Sequence, residues 1–379
     1  MIVKKIYHQG EEVNKILDSY GNIVFQKTAE MTNDIKFHTK SSVNSVNYFT
    51  VYYTDSTQKD MKYSEPNNEY VFHIPTDKTV RLINFGTSNI DEVKVSCKIK
   101  LSSDLFNSKP STIRLLSCDS TESTNLINSF KNMPYKNSKL VEIRNLDARN
   151  ATGMTSLFTD SYYIQQIVMR DLNVSKVTDM SYMFNKCSGA TTIDIANWNT
   201  SSVTNLSNTF SYCNKVTALD LSSWDTSNVI DMSYMFSYCT SIKSLDVSHF
   251  NTEKVRNMSY MFGSCEKLAS LDVRHFNTSN VTNMGGMFSR CPKLASLDLS
   301  GWNTAKVTDM SNMFMVCQAK SLDLSGWNMA SVKSTNSMFF RCNSLTTVRM
   351  VGCNQTTIDK IKSALSSDGI LSHVTIITE

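Results

Sequence analysis

Seven of the ten cysteines fall on a ruler. Cys187, Cys213, Cys239, Cys265, Cys291, Cys317 and Cys342 are separated by five steps of 26 residues and one of 25. A phenylalanine stands three residues before each, at Phe184, Phe210, Phe236, Phe262, Phe288, Phe314 and Phe339. Phe158 lies one period earlier, where Ser161 takes the cysteine slot. A fixed period of this length marks a stack of structural repeats. Further back, LINSF ending at Phe130 with LVEI after it reads as a degenerate copy offset by two residues. Leu105 and Phe106, with IRLL after them, read as another.

One unit, Leu268 to Cys291, is LASLDVRHFNTSNVTNMGGMFSRC. Its first part alternates like a short strand, with Leu271 and Val273 pointing one way and Asp272 and Arg274 the other. In its second part, Val281, Met284, Met287 and Phe288 are spaced to share one face of a short helix, with Thr278 and Ser279 as N-cap candidates. Such a unit cannot bury its apolar side alone. Copies must stack into a solenoid with a parallel sheet along one wall.

The pattern L-x-x-L-x-L-x-x-W/F-N-T-x-x-V-x-x-M-x-x-M-F-x-x-C resembles the BspA-like leucine-rich repeats of bacterial surface proteins over about residues 151–350. The resemblance implies an α/β fold, a right-handed leucine-rich-repeat solenoid used for adhesion or protein binding rather than catalysis. Departures are local: Leu206 and Thr209 replace both methionines of one copy, a residue is missing between Cys317 and Leu322, and Met329 takes a threonine slot.

The repeat accounts for an unusual composition of 20 Met and 10 Cys beside 12 Gly and 5 Pro. Twelve of the methionines, Met154 and eleven from Met180 to Met338, sit in the second-part slots and read as core filler. The competing reading is a soft-metal cluster for Cu(I). No C-x-x-C spacing suggests zinc. If helices space the coils widely, the cysteines stay free thiols. No metal or cofactor is expected.

Asp194, Asp220, Asp246, Asp272, Asp298 and Asp323 sit between the two inward strand residues and are expected to file along a concave sheet face. At ~4.8 Å between parallel strands like charges repel, so their pKa values rise unless partners compensate them. Ser244, Ser270, Ser296 and Ser321 on one side, and Ser248, Arg274 and Ser300 on the other, can do so. A solvated serine–aspartate network and a ligand-binding face, which would include Arg274, His249 and His275, are both open. The aromatic slot Trp198, Trp224, Phe250, Phe276, Trp302 and Trp327 reads as a packed spine or, if exposed, as sugar platforms. Tyr182, Tyr234 and Tyr260, extended by Tyr212 and Tyr238, read as an exposed contact cluster.

Four regions follow: an N-terminal β anchoring segment (1–27), an antiparallel all-β domain (28–102), the solenoid (103–353) and a helix–strand cap (354–379). Runs such as VNYFTVYYT, YVFHIP, TVRLINF and EVKVSCKI alternate as strands do, and NQTTIDKIKSALSSDG reads as a capped helix. Val13 to Phe25, VNKILDSYGNIVF, is similar to a short module at the start of bacteriophage tail proteins. That resemblance implies a virion setting for a chain whose N-terminus lacks a signal-peptide h-region. No nucleotide, hydrolase or metalloprotease motif occurs, and a formal charge of +4 on scattered lysines does not suggest nucleic acid.

The expectation is a non-enzymatic binding protein, a virion tail or fibre component made in the bacterial cytoplasm. Its N-terminal part would meet other assembly proteins, and its solenoid a cell-surface protein or glycan. No membrane insertion is expected, and self-association is open. The alternatives are a bacterial surface or extracellular adhesin and a structural decoration protein.

Overall fold

Two walls, rather than one, carry hydrogen bonds from coil to coil. The computed structural model describes residues 139–379 except Asp171, and before them residues 33–39, 46–64, 70–85, 90–97, 99–101, 105, 112–116, 118, 120 and 124–131. Of residues 1–32 it describes strands β1 (Tyr7–His8), β2 (Glu11–Glu12), β3 (Lys15–Leu17) and β4 (Ile23–Gln26), paired antiparallel as β1–β2 and β3–β4. The rest of the tail-like segment, and Phe106, lie outside the described residues.

The alternating runs of the next region become β5 (Asp34–Thr39), β6 (Val46–Tyr53), β7 (Gln58–Ser64), β8 (Tyr70–His73), β9 (Val80–Phe85) and β10 (Ile90–Ser96). Strands β7, β6 and β9 form one antiparallel sheet. Strands β8, β5 and β10 continue into the solenoid through β11 (Thr112–Leu116), β12 (Leu140–Arg144), β13 (Gln166–Arg170) and β14 (Thr192–Asp194). From β10 onward this sheet is parallel. Its register lines up Val93, Ile113, Val141 and Ile167, all buried, as one file of the core. IRLL and LVEI are thus true strands of the stack.

A second parallel sheet holds β15 (Ser296–Asp298), β16 (Ser321–Asp323), β17 (Thr347–Arg349) and β18 (Thr375–Ile377). Between β14 and β15 the strand wall is loose. Among the described residues its pairing there is reduced to a bridge between Ser244 and Ser270.

The opposite wall is where a short helix was expected, and none forms. Each coil makes a string of tight turns instead: Met183 N–H donates to Met180 O, Asn185 to Tyr182 O and Cys187 to Phe184 O. The turns place two residues per coil at positive φ, such as Tyr182 and Lys186. This leaves alternate N–H groups pointing to the next coil, where Met180, Tyr182, Phe184 and Lys186 donate to the carbonyls of Asn205, Ser207, Thr209 and Ser211. An i→i+3 turn repeats every few residues, so the inward spacing of Val281, Met284 and Met287 imitates a helical face. Thr278 caps no helix; it is buried and its hydroxyl donates to Asn303 O of the following coil.

Inside, nine phenylalanines from Phe130 to Phe339 stack at 5.1–6.0 Å. On the turn wall, Tyr212 and Tyr238 stack at 4.2 Å and Tyr234 and Tyr260 at 4.9 Å. Beside the strand wall, Trp198–Trp224 and Phe276–Trp302 are 6.4 Å apart. Ring spacing thus differs along the coil, closest for the outward tyrosines and widest for the aromatic slot beside the strands.

Corners need few glycines because Asx side chains replace them. In one coil Asp231 Oδ1 accepts from Ser233 N–H (2.8 Å), Asp246 from Ser248 (3.0 Å) and Asn251 from Glu253 (3.0 Å). The stack ends at α1 (Gln355–Ser367), whose N-cap Asn354 accepts from Thr357 N–H and which Gly369 follows at φ 75°. Phe339 N–H, in the last coil, has no further coil to bond and donates to Asp368 Oδ2 at 2.8 Å.

Candidate binding surfaces

The acidic file is built into the corners. Ser222, Ser248 and Ser300 each give both hydroxyl and backbone N–H to Oδ1 of Asp220, Asp246 and Asp298. Asp272 takes a two-pronged contact from Arg274 (Nη2 to Oδ2, 2.8 Å), Asp194 takes Arg170 Nε at 2.6 Å, and Asp323 takes Ser325 N–H at 3.0 Å. These donors favour the charged form. The Ser222 and Ser248 hydroxyls hold Asp220 and Asp246 below the usual carboxylate range, and Arg274 draws Asp272 down to about 2. Repulsion is therefore outweighed at these three positions. A shallow groove of about 550 Å³ crosses this face, lined by Ser244, Asp246, Ser270, Asp272, Arg274 and Asp298.

His249 and His275 stand edge-on to Phe250 and Phe276, and His275 Nε2 lies 2.9 Å from Val247 O. Among the described residues no group of His, Cys, Asp or Glu is arranged to hold a metal ion. The aromatic slot is packed: Trp198, Trp224, Phe250, Phe276, Trp302 and Trp327 are all buried, so it offers no sugar platform.

All ten cysteines are free thiols, and the seven ladder positions are buried. Wide coil spacing does not explain this, since neighbouring coils of the turn wall are hydrogen-bonded to each other. The thiols are hydrogen-bond donors instead: Cys213 Sγ lies 3.2 Å from Phe184 O, and Cys239, Cys265 and Cys291 repeat the contact one coil on each time. Ser161 makes the same bond with its hydroxyl, 2.8 Å from Phe130 O. The slot thus selects a small donor rather than merely a small apolar group. Burial pushes Cys342 up to about 12 and raises the others, so thiolate chemistry is suppressed.

The turn wall carries the cluster read from the sequence. Tyr182, Tyr212, Tyr234 and Tyr238 are exposed and Tyr260 is half-buried. All five sit at positive φ, between 51° and 60°. That conformation costs an ordinary side chain roughly 1–2 kcal/mol. Other coils fill the slot of Tyr182, Tyr234 and Tyr260 with residues that tolerate it, among them Asn208, Asn312 and Gly286, whereas the slot of Tyr212 and Tyr238 holds Lys186, Arg290 and Val316 elsewhere. Those substitutes are the sequence signal for a left-handed position, which no tyrosine reveals by itself. Gly286 is needed there, since a Cβ would come within 2.3 Å of the Tyr260 ring. Burial, and then the neighbouring phenols, raise Tyr212 and Tyr234, so both stay neutral hydrogen-bonding groups.

Unfavourable features concentrate in these same coils. The buried hydroxyls of Ser211 and Ser237 and the indole Nε1 of Trp224 have no partner, and the strand wall behind them is reduced to the Ser244–Ser270 bridge. Lys186, which pairs with Asp160 at 3.4 Å, and Arg290 are exposed in the slot that Tyr212 and Tyr238 fill in their coils, and Arg256 is exposed as well. No helix among the described residues is long and apolar enough to cross a membrane.

A search of curated proteins found no match. Residues 124–245, 188–270 and 239–350 each match one repeat family, and together they cover residues 124–350, more than half of the chain. The overlapping matches follow the stacked coils, and the chain belongs to the family described as Mycoplasma protein of unknown function, DUF285.

Proposed function

We propose that this chain is a non-enzymatic binding protein whose turn wall is the contact surface. The observation that carries the reading is the run of five tyrosines held at positive φ on an outward face. These two positions of each coil are fixed by the hydrogen-bonded turns of the wall, so the rings are held rigidly, and rigid tyrosines make large contacts at low entropic cost. The exposed Lys186, Arg256 and Arg290 suit a partner with acidic groups. The acidic file is the weaker candidate, because its Oδ1 atoms are committed to corner hydrogen bonds.

The proposed setting is an assembly on a bacteriophage virion, with the N-terminal strands meeting neighbouring proteins and the solenoid meeting a cell-surface protein or glycan. The tail-like segment at Val13 to Phe25 supports it. A bacterial surface adhesin would use the same face. A decoration protein would not need it.

The test replaces Tyr212, Tyr234 and Tyr238 with Asn, the residue already found at positions 208 and 312 of the same wall. Asn tolerates positive φ, so the fold should gain rather than lose stability. Adsorption of the full-length variant to bacterial and host cells is then compared with the parent chain. A loss of adsorption in a more stable protein supports the reading. Undiminished adsorption overturns it, and triple Asp246, Asp272 and Asp298→Asn substitution then reports whether the other wall binds.

A further inference from the structure

We propose that Tyr212 and Tyr238 form an oxidative staple, in which one-electron oxidation joins adjacent coils through a dityrosine bond. The proposal stands apart from the contact reading, since it needs no partner. Both rings are exposed, 37% and 38%, and lie face to face with centroids 4.2 Å apart and planes within 7°. Each is anchored at a left-handed position of the hydrogen-bonded wall, where Tyr212 N–H bonds Ser237 O and Tyr238 N–H bonds Gly263 O. The backbone therefore holds two phenols in contact at a surface that an oxidant reaches. Tyr234 and Tyr260, at 4.9 Å and 11°, form a looser second pair.

The chemistry needs an oxidant, which we name as hydrogen peroxide acting through a haem peroxidase. Each phenol gives up one electron to the peroxidase and its hydroxyl proton to water. The two phenoxyl radicals, with spin density at the ring carbons ortho to oxygen, couple there to form one carbon–carbon bond. The two displaced ortho hydrogens move to the oxygens and restore both phenols. The pair loses two hydrogen atoms overall, and the peroxide is reduced to two molecules of water. The buried cysteines do not intercept the reaction as thiolates, because burial raises Cys213 and Cys239 well above their usual range.

The rest of the surface provides an internal control. Tyr162 and Tyr163 are as exposed, 45% and 40%, yet no ring contact joins either to another tyrosine among the described residues. Proximity rather than exposure is thus the variable. Joined coils would be one repeat apart in sequence, so the bond closes a loop of 26 residues and removes disorder from the unfolded chain.

The experiment treats the full-length chain, at high dilution, with peroxidase and hydrogen peroxide. The expected product is a monomer lighter by two hydrogens with blue dityrosine fluorescence. Cleavage after Lys and Arg should yield fragment 187–215, which contains Tyr212, linked to fragment 216–243, which contains Tyr238. Tyr212→Phe and Tyr238→Phe should each abolish that link while leaving chromatographic and circular-dichroism behaviour unchanged. The cross-linked monomer should melt at a higher temperature than the untreated chain. Coupling that occurs only between chains, that is distributed onto Tyr162 and Tyr163, or a link between fragments 187–215 and 216–243 that persists in Tyr212→Phe would overturn the proposal.

Discussion

Trp224 and Trp302 occupy the same slot three coils apart, yet the same substitution should be costly at one and nearly neutral at the other. Both are buried to about the same extent, 2% exposed. Trp302 Nε1 donates to Val273 O at 3.0 Å, as Trp198 does to Met169 O (2.8 Å) and Trp327 to Leu299 O (3.0 Å). The corresponding carbonyl for Trp224 is Ile195 O, across the loosened strand wall, and its Nε1 has no partner. Replacing either indole with Phe, which this slot already holds at Phe250 and Phe276, leaves a similar void costing about 2 kcal/mol. Trp302→Phe also forfeits a hydrogen bond, adding about 1 kcal/mol, whereas Trp224→Phe removes an orphaned donor and regains about 2 kcal/mol. Trp302→Phe should therefore lose about 3 kcal/mol and Trp224→Phe close to none. Guanidinium unfolding followed by circular dichroism measures the difference. Equal losses would refute the reasoning, because they would mean that the Trp224 indole is bonded after all and the wall is closed in solution.

The ladder slot makes a second comparison. Cys239→Ser keeps a second donor for Phe210 O and should be tolerated as Ser161 is, while Cys239→Val leaves that carbonyl with Cys213 N–H alone and should cost about 1 kcal/mol by denaturant titration. Native protein treated with iodoacetamide at neutral pH should gain at most one label, at Cys353, the single cysteine that is not buried, and ten after unfolding; intact mass gives the count. The serine-bonded Asp220, Asp225 and Asp246, and Asp272 held at about 2, have folded pKa values below the ~3.9 of an unfolded aspartate. Their contribution is complete above that value and is lost as pH falls toward 2, so melting temperature should be level down to about pH 4 and drop below it.

The stack was legible because its core is written once per 26 residues: Phe, Cys and Met recur in slots that have only an inward reading. The strand pattern and the capped helix at 354–369 follow from the same kind of regularity. The turn wall was misread because residues three apart share a side in a string of turns as well as in a helix. What separates the two is backbone sign, and a single copy with tyrosine at that slot does not declare it. Comparing copies does: Asn208, Gly286 and Asn312 beside Tyr234 and Tyr260 mark a left-handed position. The acidic file was legible as residues but not as turns, since an aspartate two before a serine looks equally like a ligand pair. The loosening of the strand wall between β14 and β15 was not legible at all, since the strand motif recurs there unchanged.

The one-way hydrogen bonding of the turn wall gives the solenoid an electrical direction. Four N–H groups in each coil point toward the C-terminal neighbour, while the backbone of Thr178, Thr204 and their equivalents sends one the other way. Peptide dipoles so aligned add along the stack as they do along a helix, leaving the C-terminal end positive. Asp368 meets that end with a carboxylate on Phe339 N–H. The stack can therefore lengthen by whole coils without changing its ends, provided an acid closes the positive one.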